Sequence, residues 1–480
     1  MEVNVVWWRL RTSNPSKGGN VLGEFDSHTP PPFFYVIAGY EFGIIKREYR
    51  LVSGNIRKIL FLPILMFLFF QSQHSLFSQS GPFASTGRWG DYLTMRVALI
   101  GPGDELYFWW GHIGLVVEDS RTNRVRFYDW GIFSFDTENF FTNFAFGRLI
   151  YSTGVSWAEA NYDVYINTNR CIILYTLDLP AEKKEAIFVF AERSILPENR
   201  DYYYHHFDDN CATRIRDVID MALGGQLKAE FGDMPARFTL RQHVRRHTWF
   251  SPFFDWILNF WMGQNIDKPI TVWDEMFLPS EFVKRIVDFR YIDSDGRERA
   301  LVSSVEVINQ AINRPAVRDF PINPWPGALL VSLLFCEVIL LFYLLRGKRK
   351  DFRVFLGTVN SLLGFLLGIA GSLLFFMMLF TEHDYTFDNI NIIFANPLFL
   401  AVVPLGLIFG FTKNIKKRIF AVRLLKVLWV YVFWGCFFTI VIRFFPAFIQ
   451  QNQVTQALVI PIALTMVFVL SRLSSFNSKF

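Results

Sequence analysis

Tyr203-Tyr204-His205-His206-Phe207-Asp208-Asp209-Asn210-Cys211-Ala212-Thr213-Arg214-Ile215-Arg216-Asp217 is the stretch on which the fold turns. Cys211, Ile215, Val218 and Ala222 recur at helical spacing, and Asp208, Asp209 and Asn210 are residue types that cap a helix start. Cys211 therefore opens a predicted helix, a position where unpaired backbone N–H groups and the helix dipole favour a thiolate. A buried, inert cysteine is the plain alternative. A second stretch, Trp109-Trp110-Gly111-His112-Ile113-Gly114-Leu115, adds weight to Cys211 because it carries a histidine of the type that serves as a base.

Residues 97–100 and 113–118 read as strands, and the polar turn at 119–124 leads to a third strand over 125–129. His112 stands at the start of one hairpin strand and Asp129 ends the other. Antiparallel neighbours bring such ends within hydrogen-bond reach, so Asp129 is positioned to orient the His112 ring; the plain alternative is an aspartate closing a turn. Cys211 as nucleophile, His112 as base and Asp129 as orienting group make up a thiol site. The Cys211 backbone N–H is the expected oxyanion donor, with the Asn210 side chain as a second. Asp208 and Asp209 oppose a thiolate unless they point away or pair with Arg214 or Arg216.

Residues 171–177 read as a strand, 181–195 and 273–290 as helices, and most of the phenylalanines of 133–146 as core packing. After the Cys211 helix come Arg241, His243, Arg245, Arg246 and His247, followed by Trp249, Phe253 and Trp256 in an aromatic run. Cations followed by rings are expected in a membrane interface, with Arg245 and Arg246 at phosphate level and Trp249, Phe253 and Trp256 among acyl ends. A helix buried in the domain core is the alternative. His205, His206, Asp208 and Asp209 are metal-ligand types, but neither HExxH nor CxxC spacing accompanies them, so no metal is expected. A P-loop, a GxGxxG and a GxSxG are all missing from the sequence, which gives no support to nucleotide chemistry or a cofactor.

The chain has 480 residues, 52% of them hydrophobic, with 54 Phe and a mean hydropathy of +0.25, too apolar for one soluble domain. Its net charge of +5 lies in short loops and speaks for membrane orientation over nucleic-acid binding. Of four cysteines, Cys336 and Cys436 sit in apolar runs, and no disulfide framework is indicated. Residues 59–70, an apolar run behind Arg57 and Lys58, have the length of a signal-peptide core, with cleavage expected near 78–80 and an uncleaved anchor as the alternative. Residues 1–50 fit no domain pattern and are expected to be an overlong translation start. Five apolar runs follow at about 327–345, 355–380, 392–411, 427–445 and 456–471. The basic loops, with Arg346, Lys348, Arg349, Lys350 and Arg353 and then Lys413, Lys416, Lys417, Arg418, Arg423 and Lys426, are expected on the cytoplasmic side. That leaves residues 81–326 outside, in agreement with an export signal. Three regions are thus expected: 1–80 as extension and signal peptide, 81–326 as the exported domain, and 327–480 as the membrane part.

His before Cys, with the Cys opening a helix, resembles the circularly permuted branch of the NlpC/P60 papain-like fold. The expected class is α+β, followed by an all-α bundle of about five transmembrane helices. More closely, Gly111-His112, Tyr128-Asp129-Trp130-Gly131-Ile132-Phe133, residues 140–151 and Phe207-Asp208-Asp209-Asn210-Cys211-Ala212-Thr213-Arg214-Ile215-Arg216-Asp217 are similar to the periplasmic domain of Lnb-type bacterial lipoprotein N-acyltransferases. Where this chain has Asp129, that family usually has Asn; an aspartate still orients a histidine but adds charge. The resemblance implies transfer of an acyl chain from a membrane phospholipid, through a Cys211 thioester, to the α-amino group of diacylglyceryl lipoproteins. It implies a bacterial inner-membrane protein with its catalytic domain on the periplasmic side. The competing readings are a papain-like peptidase or amidase acting on peptidoglycan, and a non-enzymatic membrane protein that binds a lipid or partner.

Overall fold

The computed structural model describes residues 88–346 and 349–475; the expected signal peptide and the segment before it lie outside these. Seven strands, β1 (Leu93–Ile100), β2 (His112–Asp119), β3 (Arg124–Ile132), β4 (Ile150–Trp157), β5 (Ile172–Leu177), β6 (Asp201–Tyr203) and β7 (Val302–Asn309), form one antiparallel sheet. Their order across it is β6-β4-β3-β2-β1-β5-β7. The three strands expected from residues 97–129 all form and are longer than the apolar runs alone suggest. Pairing with β2 extends β1 to Leu93, and pairing with β4 extends β3 to Ile132.

Alternation divides the side chains between the faces. Met95, Val97, Ile113, Leu115, Tyr128 and Trp130 are buried on one, Ala98, Ile100, Val116 and Phe127 on the other. The helix α1 (Ala158–Asn167) covers the second set through Ala158 and Tyr165. Over the first set lie α2 (Ala181–Ser194) and α3 (Cys211–Ala222), whose Ile215, Val218 and Ile219 are almost fully shielded. Two further helices, α4 (Leu240–Thr248) and α5 (Pro252–Trp261), lead toward the membrane part. The span 273–290 is two pieces and not one: a turn at Val272–Glu275, then α6 (Pro279–Asp288), restarted by Pro279 in its first turn.

Five segments of 21 to 31 residues are long and apolar enough to cross a membrane. They comprise α7 (Trp325–Arg346), α8 (Lys350–Phe380), a third segment over Ile390–Phe411, α10 (Ile415–Ile442) and α11 (Gln453–Ser475). The third differs from a plain helix. It runs as 3-10 turns at Ile390–Ile393 and Pro397–Ala401 and becomes α-helical only in α9 (Val402–Phe411). Asn396 caps the second turn, and Tyr431 is hydrogen-bonded to the Ile393 carbonyl, so the irregular backbone is served by protein groups. Close approach to α8 is what shields it: a Cβ at Gly371 would stand 2.4 Å from the Asn396 nitrogen, and one at Gly368 2.7 Å from the Leu400 nitrogen.

Loops at one end of this bundle hold the α+β unit. Asn389 donates to the carbonyls of Phe260 and Trp261 at 2.9 and 3.0 Å, Gln450 to that of Met262 at 3.2 Å, and the Gly263 N–H to that of Tyr385 at 2.8 Å. The basic segments before α8 and α10 lie at the other ends of the helices.

Candidate thiol site

The helix carrying Cys211 starts where it does because Asn210 caps it. Asn210 Oδ1 accepts from the N–H groups of Ala212 and Thr213 at 2.8 and 3.0 Å, while Thr213 Oγ1 accepts from the Asn210 N–H at 2.8 Å. Its Nδ2 donates to the carbonyls of His206 at 2.8 Å and Phe277 at 3.0 Å. Both amide hydrogens are thus engaged, and Asn210 has none to offer an oxyanion; it supports the site as a cap. This corrects the sequence expectation for Asn210; the N–H of Cys211 is the first of the helix. Asn210→Ala is expected to lower stability by about 2 kcal/mol through loss of the cap, read as a lower thermal midpoint in detergent. An unchanged midpoint would show that the helix start does not depend on it.

His112 begins β2, directly after Gly111, whose φ of +77 makes the turn out of Trp110. In the β2–β3 register Gly114 lies opposite Asp129, so His112 and Asp129 are diagonal neighbours. Their side chains meet: His112 Nε2 is 2.7 Å from Asp129 Oδ1. The Cys211 side chain lies within reach of the same ring and, with Asp129, favours its charged form. Asp129 is 6% and Cys211 8% exposed, so the contact is sheltered from water.

Burial disfavours the charged imidazole, but the charges and hydrogen bonds of Asp129 and Cys211 outweigh it, and the His112 pKa is pushed up to about 10. A folded value above the ordinary 6.5 means that the pairing adds stability in full below about 6.5 and loses it as pH rises toward 10. Asp129→Asn should therefore lower the thermal midpoint most near pH 6, with the gap from the native chain closing by about pH 10. A gap independent of pH would refute this pairing.

Asp209 and Asp208 do not crowd the sulfur with free charge. Asp209 is paired with Arg214, whose NH2 donates to Oδ2 at 2.6 Å, and Arg214 in turn lies 4.1 Å over the Tyr202 ring. Asp208 is 3.1 Å from His205 Nδ1, and the other ring nitrogen of His205 meets Asp384 at 2.9 Å. His205, Asp208 and Asp384 bring ligand types together, yet each imidazole nitrogen already faces a carboxylate, and the cluster works as an ion-paired tie to the loop after α8. His206 is exposed and lies edge-on to the rings of Tyr204 and Tyr385.

The basic run is not at phosphate level. Arg245 is 2% and Arg246 5% exposed: Arg245 faces Asp255 at 3.5 Å, and Arg246 donates to Glu281 at 3.0 Å and to the Arg318 carbonyl at 2.7 Å. Acids from later elements neutralise them inside the protein. Trp249 donates to the Ala316 carbonyl and Trp256 to Thr455 of α11, while Phe253 keeps 59% of its surface exposed. Phe250 and Phe254 are exposed as well, and both pack beside Trp109. Sequence reasoning assigned no role to Tyr165, Tyr202 and Tyr204, whose hydroxyls the charge of Cys211 reaches, and the Tyr202 hydroxyl is buried with no hydrogen-bond partner among the described residues.

Known proteins were compared once this geometry was in hand. Neither a curated protein nor a solved structure matches the chain. Two family models do: Lnb N-terminal periplasmic domain over residues 90–246, which contains His112, Asp129 and Cys211, and Lnb transmembrane domain over residues 319–476, which contains all five apolar segments. With both domains present in that order around one α+β unit and one helical bundle, the chain is a membrane protein of the Lnb family.

Proposed function

We propose that this protein is a lipoprotein N-acyltransferase that moves an acyl chain from a phospholipid to the α-amino group of a lipidated N-terminal cysteine. The observation that carries the reading is the imidazole of His112 set between Asp129 and the Cys211 sulfur at a helix start. Cys211 attacks the ester carbonyl, the Cys211 N–H and the Tyr202 hydroxyl being the candidate donors to the oxyanion. His112, held as its imidazolium, gives a proton to the departing lysophospholipid oxygen, and the acyl group remains on sulfur as a thioester. The acceptor amine then attacks this thioester, the now neutral His112 takes its proton, and Cys211 leaves as the thiolate beside the restored imidazolium, the pair from which the first attack began. A thioester lies above an amide in free energy, so the second step needs no nucleotide. Asp129 acts by orienting the ring.

The α+β unit, proposed as residues 81–326, is held by the loops opposite the basic segments, and the positive-inside rule then supports a periplasmic face on the inner membrane. His-bearing strands ahead of the Cys helix support a permuted papain-like ancestry for that unit. Attachment to a five-segment bundle suits membrane-bound donor and acceptor better than a soluble glycan or peptide. The decisive experiment is mass spectrometry of lipoprotein N-termini from cells with and without the gene. Loss of the N-linked acyl chain on deletion is expected, and its persistence at native levels would overturn the proposal.

A further inference from the structure

The aromatic segment between β3 and β4, expected to fill the core, does not. Phe133, Phe135, Phe140 and Phe144 pack ring on ring at 5.1 to 6.0 Å, yet Phe135, Phe141 and Phe144 are 42, 62 and 47% exposed. Soluble surfaces rarely show so many apolar rings side by side. The neighbours indicate what covers them. Phe146 lies 5.7 Å from the ring of Phe376, which is one turn, about 6 Å, below the end of α8 at Phe380. The Glu382 N–H donates to the Phe146 carbonyl at 2.8 Å, and His383 Nε2 to that of Phe144 at 2.9 Å. The last turns of α8 themselves expose Phe375, Leu379 and Phe380. The rings thus continue the apolar flank of a membrane-crossing helix at its end.

A path of stacked rings leads inward from them. Phe133 stacks on Tyr151 at 5.0 Å and Tyr151 on Tyr204 at 4.3 Å, and the Tyr204 ring lies against Gly131, two residues past Asp129 on β3. We propose that residues 133–146 are immersed in the lipid leaflet adjoining the α+β unit, and that an acyl chain leaves the bilayer there along Phe133, Tyr151 and Tyr204 toward Cys211. The immersion stands on its own, while the route rests on the acyl-transfer reading.

The two are tested separately. Benzoylphenylalanine placed at Phe141 in the full chain carrying Cys211→Ala, in phosphatidylethanolamine nanodiscs, is expected to capture phospholipid on irradiation, seen as a mass increase of one lipid. The same probe at Trp157, also exposed but at the other end of β4 and about 23 Å along the strand, should capture at least tenfold less. Equal capture at both sites, or capture of protein from a second copy, overturns the immersion. No transfer is possible in this variant, so its result is independent of the chemistry. In the otherwise native chain, Phe135→Ser with Phe141→Ser should reduce N-acylation at least fivefold at an unchanged thermal midpoint. Full acylation overturns the route, whereas lipid capture in a native chain that never acylates refutes the transferase reading and leaves the immersion in place.

Discussion

Serine in place of Cys211 is expected to reduce lipoprotein N-acylation by at least about 1,000-fold, to the level of cells lacking the gene, with the protein still present in the membrane. The substitution is nearly isosteric, so the cap by Asn210 and the packing of Ile215 and Val218 survive it. What it removes is a nucleophile that a positively charged imidazole can hold as an anion. A serine hydroxyl needs a neutral base to take its proton, and the Asp129 carboxylate still favours the charged form of His112 when the sulfur is gone. His112→Ala should lose about as much, and the double variant no more than either single one, because nucleophile and base act as a unit. Mass spectrometry of the intact protein provides the check: the native chain should carry a thioester-linked acyl group that hydroxylamine removes, and Cys211→Ser should carry none. A Cys211→Ser protein with native N-acylation would eliminate the thiol chemistry.

The second large effect is structural. Arg241 is fully buried on α4, and its guanidinium donates from Nε to both oxygens of Asp267 at 2.9 Å, from NH1 to the Asn259 carbonyl at 2.8 Å, and from NH2 to those of Met262 and Gly263 at 2.9 and 2.7 Å. Gly263 is itself bonded to Tyr385 in the loop after α8, so this one side chain fastens the end of α5 where the α+β unit meets the bundle. Arg241→Ala leaves the buried Asp267 carboxylate without its counter-charge and removes the Arg241 hydrogen bonds to the Asn259, Met262 and Gly263 carbonyls, of which that of Met262 keeps Gln450 as donor, a loss of about 3–5 kcal/mol. A strongly lowered thermal midpoint in detergent, or loss of the protein from membranes, is expected. Arg241→Lys should recover only a fraction, since an ammonium does not reproduce the planar fork. A midpoint within a degree of the native one would show that Arg241 does not carry the junction.

Much of the fold was legible because it rests on local pattern. Apolar alternation marked β1 to β3, helical spacing marked α3, and run length marked the five membrane segments. The His112–Asp129 contact was legible too, since a hairpin fixes its own register. What could not be read depends on partners distant in sequence. Arg245 and Arg246 resemble lipid-facing cations until Asp255 and Glu281 are seen to neutralise them inside. Asn210 resembled an oxyanion donor because composition does not reveal that Phe277, 67 residues on, takes its amide hydrogen. The rings of 133–146 resembled core because hydrophobicity alone does not distinguish a protein interior from a lipid one.

The interrupted third segment bears on how the chain enters the bilayer. Its leading half, Asn389, Asn391 and Asn396 included, has no regular helix to hide its amides, and lipid offers them nothing. It is therefore poorly suited to partition from the translocon by itself. The glycine-lined flank of α8, already threaded, is the surface that receives it, so these two segments should insert as a hairpin in one event.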